Sequence, residues 1–238
     1  MVAPPLAGRY SRGMSRFTIL LAGPIRPTGD LCRAVAATRI IAADRGMMHA
    51  APLGVVPELW VGDFDSVDPA LDARHADTPR ETFPRDKDRT DGELAIDTAI
   101  ARGATDLLLV GACGGPRTDH AFMHLVLALR YAAHGLGVTL ADGNETAVPL
   151  APGAQKFDLA PGTTFSILKF TDLAGLTVAG ARWPLDDVAV PFHSILTQSN
   201  EAAGPVTITL RGGTAVLVIQ AAGGDARPAA EVDLPGAD

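Results

Sequence analysis

Five short apolar runs, each followed by a stretch of different periodicity, limit the folds open to this chain more than any other feature. They are Phe17–Ala22, Arg39–Ala43, Pro57–Val61, Asp106–Val110 and Val138–Ala141. Such runs are too short for buried helices, and they are apolar at consecutive positions rather than alternate ones, so they fit strands covered on both faces. Between and after them, Asp30–Thr38, Arg45–Leu53, Asp68–His75, Thr90–Arg102 and Thr118–His134 read as helices. Ile96 and Ile100 are spaced to face a core, as are Phe122, Leu125, Val126 and Leu129. Alternating strands and helices predict an α/β region with a mostly parallel sheet and helices on both faces. Sheets of this kind bind ligands at the carboxyl ends of their strands, so the residues just after each run are the candidate site.

Those residues are unusually acidic. Asp44 closes the second run, and Gly62-Asp-Phe-Asp-Ser66 follows the third. Alternation around Phe64 would point Asp63 and Asp65 the same way while Phe64 packs inward. A second burst, Asp86-Lys-Asp-Arg-Thr-Asp-Gly-Glu93, leads into a helix with Thr90 as N-cap and Glu93 positioned for a capping box. Asp91 falls in the first turn, where the helix dipole favours negative charge. Either burst alone also fits a solvated turn; two bursts, each at an element boundary, favour a shared site. Clustered carboxylates with Lys87 and Arg89 among them suit Mg²⁺ carrying a polyphosphate. A third block, Gly111-Ala-Cys-Gly-Gly-Pro-Arg117, opens the helix at Thr118. Glycines let backbone approach phosphate, a helix N-terminus favours anions, and the Arg117 guanidinium can fork onto phosphate oxygens. The block matches neither the P-loop nor the dinucleotide fingerprint, and alone it also fits an ordinary glycine-rich turn. His120 beside it also fits a cap or a packing residue.

The pattern changes near residue 145. Pro149, Pro152, Gly153, Pro161 and Gly162 punctuate the chain, and then come Thr163–Leu168, Leu176–Val178, Val206–Leu210 and Ala215–Ile219. Gly212-Gly213 reads as the hairpin turn joining the last two. This predicts a C-terminal all-β antiparallel sandwich or roll, with a domain break between about residues 143 and 162. The expected division is a flexible N-terminus over 1–16, an α/β domain over 17–145, a β domain over 155–221 and a flexible tail over 222–238. A net charge of −7 over 238 residues, with no Lys/Arg run, argues against nucleic acid or an acidic membrane as partner. No stretch approaches the ~20 apolar residues of a membrane helix, and Gly23-Pro24 interrupts Phe17–Ala22 before it can serve as a signal peptide. Two cysteines, Cys32 and Cys113, suggest reduced thiols and a cytoplasmic location. Cys113 reads as a small filler residue.

Taken together, Gly62-Asp-Phe-Asp-Ser66, Asp86-Lys-Asp-Arg-Thr-Asp-Gly-Glu93 and the Gly111, Gly114, Gly115, Arg117, Asp119, His120 block resemble the three signature blocks of thiamine pyrophosphokinase, in order and spacing. Further on, Gly180-Ala-Arg-Trp-Pro-Leu185 resembles that family's aromatic segment against thiamine, and Ser199-Asn-Glu201 its Ser-Asn element. The resemblance spans about residues 17–220. It implies a homodimeric enzyme that moves the pyrophosphoryl group of ATP to the hydroxyl of thiamine, leaving AMP, with the thiamine site at the subunit interface. It further implies Mg²⁺ at Asp44, Asp63, Asp65 and Asp91, and phosphates held by Lys87, Thr90 and Arg117. Asp65, Asp91, Lys87 and Arg117 would carry the chemistry. Ser66, Gly114, Gly115, Asp119 and His120 would line the substrate site, and Trp183, Ser199 and Asn200 would reach thiamine. Trp183 also fits a core aromatic. The chain departs from the family pattern at Arg45, where glycine is usual, and at the extra Pro116.

Two other readings compete. A binding regulator without catalysis would keep the fold, and Arg45 and Pro116 are the features that favour it. A haloacid-dehalogenase-like phosphatase would use Asp63 as nucleophile; it needs the motif on the first strand and a later acidic pair, for which Asp186-Asp187 is the candidate.

Overall fold

The computed structural model describes residues 15–65, 67–84 and 89–221. The expectations placed on residues 1–14, Ser66, Asp86, Lys87, Asp88 and the tail from 222 lie outside the described residues.

The apolar runs form the strands expected of them. β1 (Arg16–Leu20), β2 (Arg39–Ala43), β3 (Leu59–Gly62), β4 (Arg80–Thr82), β5 (Asp106–Val110) and β6 (Gly137–Ala141) are parallel, in the order β6-β5-β1-β2-β3-β4. Their alternate residues feed two cores. Phe17, Ile19, Leu107 and Leu109 join Ala95 and Ile96 of α4 (Asp91–Ala101) and Ala128 and Tyr131 of α5 (Thr118–Ala133). Leu20, Leu108 and Val110 join Leu31 and Val35 of α1 (Gly29–Ala36) and Ala50 and Leu53 of α2 (Ala50–Leu53) on the other side. Burial on both faces is why these strands lack polar alternation. A short α3 (Pro69–Arg74), capped by Asp68, links β3 to β4.

Several expectations need correction. The helix expected over Arg45–Leu53 begins as a 3₁₀ turn, Asp44–His49, before α2. In α5, Leu125 and Leu129 pack against the core beside the buried Ala128 and Tyr131, but Phe122 is 53% exposed and stacks on Phe170 at 5.7 Å. The capping box is half formed. The Thr90 hydroxyl accepts from the Glu93 amide at 3.2 Å, but the Glu93 carboxylate accepts from Arg130 at 2.6 Å.

Beyond residue 144 every pairing is antiparallel. The elements are β7 (Glu145–Leu150), β8 (Gly153–Phe157), β9 (Thr164–Lys169), β10 (Leu173–Ala181), β11 (Leu185–Val190), β12 (Asn200–Leu210) and β13 (Ala215–Gln220). Strand β7 pairs antiparallel with β6 and so extends the sheet at the edge of its parallel half. The strand order then runs β7-β13-β9-β12-β10-β11, with β8 on β12. Gly212-Gly213 is therefore no hairpin turn: β12 pairs with β10, β8 and β9, and β13 with β7 and β9. A third apolar cluster, including Phe165, Leu176, Val206 and Leu217, fills this half. Among the described residues no helix is long and apolar enough to cross a membrane.

Candidate active site

The strand order reverses beside β1: the chain goes from β1 to β2, β3 and β4 on one side and returns to β5 and β6 on the other. Loops leaving β1 and β5 part at such a point and open a crevice at the carboxyl rim. They stay adjacent at their roots, where the Leu21 amide donates to the Val110 carbonyl at 2.8 Å and the Gly23 amide to the Gly111 carbonyl at 3.0 Å. Loop and helix N-terminus meet on this rim. Gly111, Gly114 and Gly115 all have left-handed backbone, with φ of 75°, 60° and 87°, which folds the loop back toward α5.

Arg117 and Asp119 sit at the start of α5, exposed, and form a two-pronged ion pair with Nε–Oδ1 at 2.9 Å and Nη2–Oδ2 at 2.7 Å. The guanidinium holds the Asp119 carboxyl well below the usual carboxylate range. An exposed pair of this kind is worth little by itself, so a phosphate can take the carboxylate's place on the fork. His120 is exposed and lies edge-on to His124 at 6.3 Å. His124, which sequence reasoning missed, bonds the Ala112 carbonyl through Nδ1 at 3.0 Å and ties the loop to its helix. Burial pushes its imidazole below the ordinary value. Cys113 is buried, and burial pushes its thiol far up, with the Glu145 and Asp142 carboxylates adding to the effect. Its role as filler fits an inert thiol.

The acidic turns lie on the same rim. Asp44 follows β2 with φ 43°, and Asp63 follows β3, with the Asp65 amide donating to the Asp63 carboxylate at 3.3 Å. The strand ends at Gly62, so no pleat alternates the two carboxylates. Instead Phe64 adopts a left-handed φ of 61°, and it does pack inward, against Trp60 at 5.1 Å between ring centroids. Asp91 begins α4, whose first turn presses on the chain leaving β1: a Cβ on Gly92 would come within 2.8 Å of Leu21 Cδ2. Glycine at that position costs helix propensity but permits the approach. Among the described residues no three His, Cys, Asp or Glu side chains are gathered to hold a metal ion. The donor chemistry, hard carboxylate oxygens, suits Mg²⁺.

Arg45 is exposed and has no left-handed backbone, and Pro116 is exposed, so neither departure disturbs packing. His49, also unforeseen, is buried. It bonds the Gly23 carbonyl through Nε2 at 2.8 Å, and burial lowers its pKa. A lone histidine carried no signal for it.

Trp183 stands at the turn from β10 to β11, 54% exposed rather than in a core. Its amide donates to Asn200 Oδ1 at 3.2 Å, its carbonyl accepts from Asn200 Nδ2 at 2.8 Å, and the Arg182 guanidinium lies over its ring at 4.8 Å. Ser199, with φ 55°, donates its amide to Ser166 Oγ at 2.9 Å. The phosphatase reading loses its second acidic pair here. Asp186 and Asp187 lie on β11, the outer antiparallel strand, where Asp187 pairs with Arg211 at 2.7 Å, and the Asp63 motif follows the third strand rather than the first.

Comparison with known proteins gives the same answer for both halves. The catalytic-domain model of thiamin pyrophosphokinase matches residues 34–140, and the model of its vitamin B1 binding domain matches residues 154–214. The thiamine pyrophosphokinase of Bacillus subtilis is 27% identical over 165 residues, covering 68% of this chain and 77% of that protein. Its crystal structure superposes with a TM-score of 0.78 at 23% identity, covering 87% of this chain and 100% of that one. The Geobacillus thermodenitrificans enzyme gives 0.74 at 25%, with 87% and 98% covered, and that of Candida albicans 0.68 at 14%, with 88% and 90%. Two adjoining domain models, matched in order over most of its length, show that the chain belongs to the thiamine pyrophosphokinase family, enzymes that transfer the pyrophosphoryl group of ATP to thiamine.

Proposed function

We propose that this chain makes thiamine diphosphate and AMP at the carboxyl rim of its parallel strands. What supports this reading is that the acidic turns after β2 and β3, the start of α4 and the glycine-rich loop with Arg117 all come after the carboxyl ends of parallel strands. The thiamine hydroxyl attacks the β-phosphorus of ATP in line with the bond to the α-phosphate oxygen, and negative charge collects on that bridging oxygen as AMP departs. Cationic groups aimed there do most of the work. Arg117 exchanges Asp119 for phosphate oxygens, and Thr90, Gly114 and Gly115 border the phosphates. Lys87 and Ser66 complete the set on sequence grounds. Asp44, Asp63, Asp65 and Asp91 would hold Mg²⁺, which when bound neutralises the polyphosphate. Asp119 and His120 line the approach.

Trp183, Ser199 and Asn200 receive thiamine, Trp183 by laying its ring on the cationic heterocycle. Trp183 lies between β10 and β11 at one end of the strand order, and Asp63 follows β3 near the other. That separation supports a homodimer in which the turn of one copy serves the rim of the next. A groove of about 520 Å³ lined by Phe122, Leu168, Phe170, Phe192 and Ile195 is apolar surface of the kind a subunit contact covers. Two free cysteines suit a cytoplasmic enzyme. The test is incubation with ATP, Mg²⁺ and thiamine: AMP and thiamine diphosphate should appear in equal amounts. Binding of both substrates without AMP would instead leave the regulator reading.

A further inference from the structure

The sequence marks Trp60 only as the end of a strand, yet the fold gives it contacts to both acidic turns. It is fully buried in β3. Its indole N–H donates to the Asp44 carbonyl at 2.8 Å, and its ring meets Phe64 edge-on at 5.1 Å. Asp44 and Phe64 have φ of 43° and 61°, in a region that side chains other than glycine rarely occupy. Such backbone persists only where surrounding contacts hold it. The same side chain supplies one such contact to each turn.

Arg80 closes the arrangement. In register with Trp60 on the neighbouring strand, it lays its guanidinium 4.7 Å from the Trp60 ring and 5.2 Å from the Phe64 ring, and it pairs with Asp72 of α3 at 2.7 Å. The turns also touch directly: a Cβ on Gly62 would lie 3.3 Å from the Asp44 Cα. Asp44 on one side and Asp63 and Asp65 on the other therefore hang from two strained turns braced against one indole.

We propose that Trp60 is a positioning residue that sets the spacing of these carboxylates through the Asp44 carbonyl and the Phe64 ring. This rests on the reading of the acidic rim as the Mg²⁺–ATP site. Trp60→Phe deletes the N–H and leaves a ring near Phe64. The assays are calorimetric ATP binding across a Mg²⁺ titration, kcat, the KM for each substrate, and Tm. The Mg²⁺ midpoint for ATP binding should rise about three- to tenfold and kcat should fall about tenfold, with the KM for thiamine within about twofold of wild type. A packing residue would lower Tm and leave the Mg²⁺ midpoint and kcat where they were, and that result overturns the proposal. Should Trp60→Phe fail to fold, Phe64→Gly removes the ring while accepting the left-handed backbone. It should show the same midpoint shift, and an unchanged midpoint overturns the proposal equally. Asp65→Asn separates the two levels. If Asp65→Asn binds and turns over like wild type, the rim reading fails and takes this proposal with it. If Asp65→Asn is impaired and Trp60→Phe is not, only the role of Trp60 falls.

Discussion

Replacing Trp183 by alanine separates recognition of thiamine from recognition of ATP. The ring is 54% exposed, and its backbone is held from outside by both ends of the Asn200 amide, so truncation removes surface without opening a cavity. The loss is the contact between an indole face and a cationic ring, about 0.5–2 kcal/mol. At 1.4 kcal/mol per factor of ten, that is about a two- to thirty-fold rise in the KM for thiamine. The KM for ATP should stay within about twofold, because the groups proposed for the nucleotide are those of the parallel-strand rim. Trp183→Phe should recover part of the effect, since a smaller aromatic face remains. Asn200→Ala, which frees the backbone of the turn, should move the thiamine KM in the same direction. Initial rates over a two-substrate grid measure all three variants. Equal rises in both KM values, or none in either, would refute the assignment of Trp183 to thiamine.

Arg117→Lys keeps the charge and loses the fork, so the KM for ATP should rise about tenfold, with no change in Tm beyond scatter; an unchanged KM places the phosphates elsewhere. His49 and His124 both have pKa values lowered from 6.5 by burial. The unfolded chain therefore binds more protons just below that value, so stability is complete above pH 6.5 and falls as the pH drops toward the folded-state values. Melting curves from pH about 7.5 to about 5 should show this decline, and His49→Gln should flatten it. Sedimentation should show a dimer, and Phe192→Glu, which puts charge into the apolar groove, should give monomers that bind ATP but make no product.

What the sequence disclosed, and what it hid, divides along range of contact. Phe17–Leu20 and Asp106–Val110 announced themselves because strands buried on both faces are apolar without interruption. Thr90 did so because a cap acts within three residues. Strands β7 and β8 give no clear strand pattern, since Pro149 suggests a break. Its missing N–H does no harm because β6 pairs with β7 only at Ala147 and Thr146, leaving Pro149 beyond that ladder. Gly212-Gly213 carries a hairpin's chemistry without forming one for a related reason: local turn chemistry does not say which of several distant strands the chain will join. At the rim, the acidic residues stand out by type and spacing, and Asp44 and Asp63 do follow strand ends. The indole N–H of Trp60, the imidazole of His49 and the clamp of Asn200 on Trp183 are partnerships across 16, 26 and 17 residues, which no spacing rule encodes.

The position of β13 bears on how the molecule is made. It is the last of the described strands, yet it lies between β7 and β9, with Ala215 opposite both Leu150 and Lys169. While the chain is being synthesised, the parallel half therefore carries a bare β7 edge, and β9 waits unpaired along most of its length. Open edges of this kind invite pairing with other chains. A chain stopped short of Ala215 would hold every residue proposed for the site but lack the strand that joins its halves, so the sheet closes only when β13 arrives.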